Sequence, residues 1–249
     1  MASSKNLNSR LRGICAALFL SVCATAQAAD EAAIKAAVEA FVGGNGRVES
    51  LRKAPIPGLY EVALFSERAG RDILYVDEKV SFVFSGDLYD VRTRKSLTQT
   101  RVDELSAIKF ADLPLDAAIK TVRGSGKRVL ATFEDPNCGY CKKLAQDLQA
   151  LKDVTIYTFM VPILGPDSDV KARAIWCSAD RSKAWNDWMI SGVRPNGAGC
   201  DSSGVDKARA LGARINVRGT PTIMLADGTR IGGYVPADQL EMRIAQAAK

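Results

Sequence analysis

The sequence predicts a two-part chain: an α+β amino-terminal domain with a small antiparallel sheet, joined by a linker helix to an α/β domain that carries a helical insertion. Three observations predict it. Short runs rich in β-branched and aromatic residues fill much of the first hundred positions, strand-like and amphipathic helical segments alternate from Arg128 onward, and Gly124-Ser125-Gly126 separates the two textures. With 249 residues, 47% hydrophobic and 25% charged, the chain can bury a real core in one or two domains.

Lys5, Arg10 and Arg12 precede an apolar run from Ile14 to Val22, and Ala26-Gln27-Ala28 offers small residues for cleavage. Residues 1–28 therefore read as a signal peptide cut after Ala28. The run is shorter than the ~20 residues that span a bilayer, which argues against an uncleaved anchor. Val22 before Cys23 is a poor context for lipidation. Removing the segment lowers the formal charge from +6 to +3. An excess this small and scattered makes no groove for nucleic acid, and no such partner is expected.

Residues 29–95 form the first domain. Ala32–Val42 is helical and stops at Gly43-Gly44; Leu59–Phe65, Asp72–Val76, Val80–Phe84 and Leu88–Val91 read as short strands with polar turns between them. A unit of about 65 residues has a thin core, which favours a partner surface. Residues 96–122 form a linker, partly helical: Leu97, Val102, Leu105 and Ile108 suit a helix from about Arg101, and Leu115–Val122 continues the pattern.

Residues 123–249 form the second domain. Strands are expected at Arg128–Phe133, Val154–Met160, Thr222–Leu225 and Arg230–Tyr234. Helices are expected through Leu144, Leu148 and Leu151, over Asp169–Ser178, Ser182–Ile190 and Asp206–Ala213, and from Ala237. That order is the order of a thioredoxin-like domain with an inserted helical region. Trp176, Trp185 and Trp188 read as packing residues of the insertion.

Cleavage would leave four cysteines, Cys138, Cys141, Cys177 and Cys200. An even set in an exported chain points to an oxidising compartment and two pairs. Three pairings are possible; proximity favours Cys138 with Cys141, leaving Cys177 for Cys200. The absence of histidine excludes Ser-His-Asp and Cys-His nucleophile systems and histidine-containing zinc sites. A four-cysteine zinc site would want a second close pair, which Cys177 and Cys200 do not form.

Cys138-Gly139-Tyr140-Cys141 follows a buried strand and opens a helix. A thiol attacks a disulfide as the thiolate, and the free N–H groups and dipole of a helix N-terminus stabilise that anion. Cys138 is the expected nucleophile, and Cys141, one turn on, the thiol that resolves a mixed disulfide. The pair needs neither cofactor nor metal. Glu134 and Asp135 are candidates for proton transfer to the thiols, against a plain role as loop or cap residues. Far along the chain, Arg218-Gly219-Thr220-Pro221-Thr222 precedes a strand. A cis proline there would expose the backbone of Thr220 to an incoming peptide and hold its cysteine against Cys138.

Gly58-Leu59-Tyr60-Glu61-Val62, Ile73-Leu74-Tyr75-Val76, Phe133-Glu134-Asp135-Pro136-Asn137 before the cysteine pair, Ala174-Ile175-Trp176-Cys177 and Gly219-Thr220-Pro221 carry a resemblance over the mature chain. The sequence resembles the periplasmic DsbC/DsbG family of bacterial disulfide isomerases, and Gly139-Tyr140 is nearer to the DsbC branch. The resemblance implies that Cys138 attacks, Cys141 resolves, Thr220 precedes a cis Pro221, and Cys177–Cys200 is a structural disulfide. It also implies a V-shaped homodimer paired through the first domain, with a cleft for misfolded exported proteins that carry non-native disulfides. A membrane electron donor of the DsbD type would keep the pair reduced, and chaperone activity would share the cleft. Thr222 departs from the smaller residue of the best-known member, which bears on substrate fit. Two other readings stay open: a dithiol oxidase, and a chaperone or binding protein that does not use its thiols.

Overall fold

The computed structural model describes residues 22–67 and 69–247, with side chains from Glu31 onward. The expected signal peptide lies outside the described residues, except for the backbone at 22–28. No described helix is long and apolar enough to cross a membrane.

The chain divides into two compact units, residues up to Ala63 with Leu74–Ser85, and Leu64–Ile73 with Gly86–Lys249. It opens with α1 (Val22–Phe41), which buries Ile34 and Val38 one turn apart and ends before Gly43, whose φ of 62° suits glycine. Next come β1 (Arg47–Lys53), β2 (Leu59–Ser66), β3 (Gly70–Asp77) and β4 (Val83–Ser85), a four-stranded sheet in that order with β3 and β4 antiparallel. Strand β1 was not expected, because Arg-Val-Glu-Ser-Leu-Arg-Lys reads as polar surface. A bidentate bond from Arg52 to the buried carboxylate of Glu61 on β2, at 2.7 and 2.9 Å, helps to hold it.

The strand expected at Val80–Phe84 begins only at Val83. The Asp77 carboxylate takes the N–H groups of Ser81 and Phe82, each at 2.7 Å, and so folds the preceding residues into a loop. The strand expected at Leu88–Val91 shrinks to β5 (Tyr89–Asp90), which pairs with β6 (Lys95–Ser96) in a separate ribbon. Asp90 closes that turn by accepting from Arg92 N at 2.8 Å and Thr93 N at 3.1 Å.

Helix α2 (Leu97–Leu105) starts earlier than Arg101 because Ser96 caps it, accepting from Gln99 N at 2.9 Å. The helical reading of Leu115–Val122 is corrected. A single 3₁₀ turn at Leu115–Ala117 leads into β7 (Ile119–Arg123), where burial alternates with period two, from buried Ile119 to exposed Lys120. The linker expected over 96–122 therefore ends in a strand of the second sheet.

The remaining elements are β8 (Arg128–Glu134), α3 (Gly139–Asp147), β9 (Val154–Met160), α4 (Pro166–Trp176), α5 (Arg181–Ser191), α6 (Ser203–Arg214), β10 (Thr222–Leu225), β11 (Arg230–Gly232) and α7 (Ala237–Ala247). The sheet runs β11-β10-β8-β9-β7, with β8 and β9 parallel and the other pairs antiparallel. Its side chains alternate between two cores. Leu130, Ile156 and Ile223 pack with Leu144 and Leu148 of the α3 region and Leu240 and Ile244 of α7. Phe133, Phe159 and Met224 pack with Leu211 and Ile215 beside α6, and the two phenyl rings stack at 5.0 Å. Each such fully buried side chain contributes about 1.5–3 kcal/mol. A third cluster sets Ala172, Ile175, Trp185 and Met189 of α4 and α5 against Cys138 and Cys141. The insertion is thereby part of the cysteine site.

Candidate active site

Strand β8 ends at Glu134, and after three intervening residues Cys138 caps α3 with an extended backbone, φ −75° and ψ 120°. Its sulfur accepts the N–H of Cys141 at 3.3 Å. Its thiol also donates to the carbonyl of Thr220 at 3.2 Å, and the Thr220–Pro221 peptide bond is cis. Cys138 keeps 7% of its surface exposed while Cys141, on the inner face of the helix, keeps none. Cys138, Cys141, Thr220 and Pro221 thus meet in one place, and both thiols are free. Cys177 and Cys200 are bonded to each other and tie the end of α4 to the segment before α6.

The two candidate carboxylates have different surroundings. Asp135 is buried and satisfied: Oδ1 accepts from Asn137 N at 2.7 Å and Ser168 Oγ at 2.8 Å, Oδ2 from Ile163 N at 2.8 Å and Leu164 N at 2.9 Å. It ties the cysteine loop to the start of the insertion. Glu134 is fully buried, and neither carboxylate oxygen has a hydrogen-bond partner in the structure. Burial pushes its pKa up to about 7. The Thr132 hydroxyl, directed at Thr158 Oγ1 3.1 Å away, offsets little of this. Burial also pushes the Cys141 thiol far up, and the charge of Glu134 adds to that. A proton on Cys141 and one on Glu134 are therefore interdependent.

Three contributions escaped the sequence. Trp188, read as packing, donates its indole N–H to the Pro136 carbonyl at 2.6 Å. Lys171 donates to Asn137 Oδ1 at 2.8 Å and also bonds Asp167; its only sequence signal is the four-residue spacing from that aspartate. Tyr140 is exposed, with its ring 6.4 Å from that of Tyr234, whose hydroxyl donates to Asp147 at 2.5 Å. A cleft of about 650 Å³ opens beside Thr220, lined by Gly219, Thr222 and Gly232 and by Gln99, Asp103 and Ile108. Thr222 turns its hydroxyl to the Gly219 carbonyl at 2.8 Å.

What this arrangement can do is pass two electrons between a recessed dithiol and a disulfide brought to Thr220. On a mixed sheet flanked by helices, that defines a thioredoxin-like thiol–disulfide oxidoreductase. The sequence comparisons agree with the geometry. Residues 115–248 match the model of a thioredoxin-like domain, and residues 25–99 that of the disulfide bond isomerase protein N-terminal domain. The chain is 49% identical over 197 residues to the probable thiol:disulfide interchange protein DsbC of Bordetella pertussis, covering 79% of this chain and 68% of that one. It is 29% identical over 221 residues to the thiol:disulfide interchange protein DsbC of Escherichia coli K12, covering 86% of each. The crystal structure of a disulfide interchange protein from Neisseria gonorrhoeae superposes with a TM-score of 0.53 at 44% identity, over 55% of this chain and 99% of that one. The chain belongs to the DsbC family of thiol:disulfide interchange proteins. Thiol–disulfide exchange and disulfide isomerisation are its chemistry.

Proposed function

We propose that this chain rearranges incorrect disulfides in misfolded exported proteins of the periplasm, with Cys138 as the attacking and Cys141 as the resolving thiol. One observation carries the reading: the Cys138 sulfur lies 3.2 Å from the Thr220 carbonyl, so a strand docked on that backbone meets the nucleophile directly. The Cys138 thiolate attacks one sulfur of the substrate disulfide, forms a mixed disulfide, and releases the other sulfur as a thiolate that takes up a proton. In isomerisation that freed thiol, deprotonated again, attacks a second substrate disulfide, and the rearranged chain finally expels Cys138 unchanged. When rearrangement stalls, Cys141 attacks the mixed disulfide, both electrons pass to the substrate, and Cys138–Cys141 becomes the disulfide. Glu134 accepts the Cys141 proton in that step, since a pKa near neutrality suits a general base. A membrane donor of the DsbD type then returns two electrons to the pair.

The protein works as a homodimer in this reading, with residues 1–28 a signal peptide, 29–95 the dimerisation domain and 96 onward a linker. The catalytic domain then runs to residue 249 and takes in β7. Edge strand β4 supports a dimer, with its Phe84 exposed at 56% and Phe82, just before it, at 77%. Chaperone activity would use the same cleft as isomerisation. The test is reactivation of a scrambled disulfide substrate alongside mass in solution, for the intact protein, Cys138→Ala and a chain lacking residues before Arg101. The expected result is an active dimer, an inactive Cys138→Ala variant and a monomeric truncation that has lost isomerisation. Full repair by the truncated monomer would overturn the dimer-cleft reading, net oxidation of a reduced substrate without repair of the scrambled one would point to a dithiol oxidase, and full repair by Cys138→Ala would point to a role independent of thiols.

A further inference from the structure

Each of the three residues before the nucleophile is anchored by a separate bond to the helical insertion. Asp135 is held by Ser168 of α4 and the two N–H groups ahead of that helix, Pro136 by Trp188 of α5, and Asn137 by Asp167 and Lys171 of α4. Trp188 joins these anchors into one unit. Its ring lies 4.4 Å from the ammonium of Lys171 and 4.4 Å from that of Lys142, which stands in the first turn of α3, next to Cys141. The Lys171 side chain is only 11% exposed, so its charge is spent on Asn137, Asp167 and the indole face rather than on water. A solvated surface lysine would make none of these contacts obligatory.

We propose that Trp188 and Lys171 are positioning residues of the exchange reaction: from the insertion, they fix the Pro136-Asn137 step on which Cys138 is presented and so set the balance between dithiol and disulfide. Bonded to Asn137, one residue before Cys138, Lys171 holds the loop in the geometry of the free dithiol. The indole bond fixes the direction in which the sulfur points. This rests on the reading of Cys138 and Cys141 as the redox pair.

The experiment equilibrates the full chain and its variants in glutathione buffers and counts the oxidised pair by acid quench, alkylation and mass. Lys171→Met should move the equilibrium constant about tenfold toward the disulfide, and Lys171→Arg should bring it back to within about twofold of the parent. Trp188→Phe keeps a ring for both ammonium groups but loses the indole N–H; it should slow attack on a peptide disulfide about tenfold. Asn137→Ala, at a partly exposed position, removes the acceptor of Lys171 without burying a new group. It should reproduce the Lys171→Met shift, and the double variant should add nothing further. Constants and rates within twofold of the parent in Lys171→Met, Trp188→Phe and Asn137→Ala, whatever happens to their melting temperatures, would overturn the proposal. If the parent pair itself never takes up electrons from glutathione, the underlying reading fails instead.

Discussion

Glu134 helps to hold the thiol of Cys141 in its protonated form: both are buried beneath the start of α3, and the charge of the carboxylate follows burial among the causes that raise the thiol. The relationship runs both ways. A carboxylate without hydrogen-bond donors is costly to ionise, so the pair shares a reluctance to carry negative charge inside the fold.

Stability should therefore depend on pH through Glu134. Its ordinary pKa is 4.5 and its folded value about 7. Below 4.5 the carboxyl is protonated in both states. As pH rises toward 7 the unfolded chain ionises while the folded one keeps its proton, so folding loses stability across that window and no more above it. In Glu134→Gln the loss disappears. With the thiols kept reduced, urea unfolding should show the variant gaining about 3 kcal/mol on the parent between pH 4 and pH 8. A constant gap between the two proteins would show that Glu134 ionises normally.

The same residue should govern the resolving step. Removing a general base costs typically about 100-fold or more in rate. A mixed disulfide between Cys138 and a peptide should consequently persist about 100-fold longer in Glu134→Gln than in the parent. In Cys141→Ala it should accumulate without decay by this route. Mass spectrometry of quenched time points measures both, and equal lifetimes in parent and Glu134→Gln would remove Glu134 from the reaction.

The sequence made the chemistry more legible than the scaffold around it. Cys138, Cys141, Thr220 and Pro221 were readable because a two-residue spacing after an apolar strand and a proline before another are local patterns. Strands β8, β9 and β10 were readable for the same reason, being buried on both faces along most of their length and largely apolar. Strand β1 and edge strand β7 were not: Glu49, Arg52, Lys120 and Arg123 are polar, β1 is held by its neighbour β2 and the Arg52–Glu61 bond, and β7 by pairing with β9 far along the chain. Nor could Asp135 be separated from Glu134 by sequence. The two are neighbours, yet one points at four donors, three of them at the start of the insertion, and the other at none.

Asp135 should accordingly be among the least replaceable residues outside the cysteines. Asp135→Ala strands three backbone N–H groups and a buried serine hydroxyl at once. A loss of about 3 kcal/mol or more is expected from urea midpoints. Asp135→Asn keeps the acceptor on one side only and should fall between alanine and the parent. A loss below about 1 kcal/mol for alanine would mean that water replaces the carboxylate without strain.

The second disulfide should act on stability rather than on exchange. Cys177 ends α4 and Cys200 precedes α6, and the bond closes a loop with a sequence separation of 23. A loop of that size is worth about 3 kcal/mol through the entropy it removes from the unfolded chain. The double variant Cys177→Ser with Cys200→Ser should lose about that much in urea. The contacts that hold Asp135, Pro136 and Asn137 come from the opposite end of α4 and from α5, so they outlast the change as long as the helices stay packed. Reactivation of a scrambled substrate at 20 °C should then remain within about twofold of the parent and fail only near the lowered melting temperature. Loss of reactivation well below that temperature would show that the bond, and not only the helices it joins, holds the cysteine loop in place.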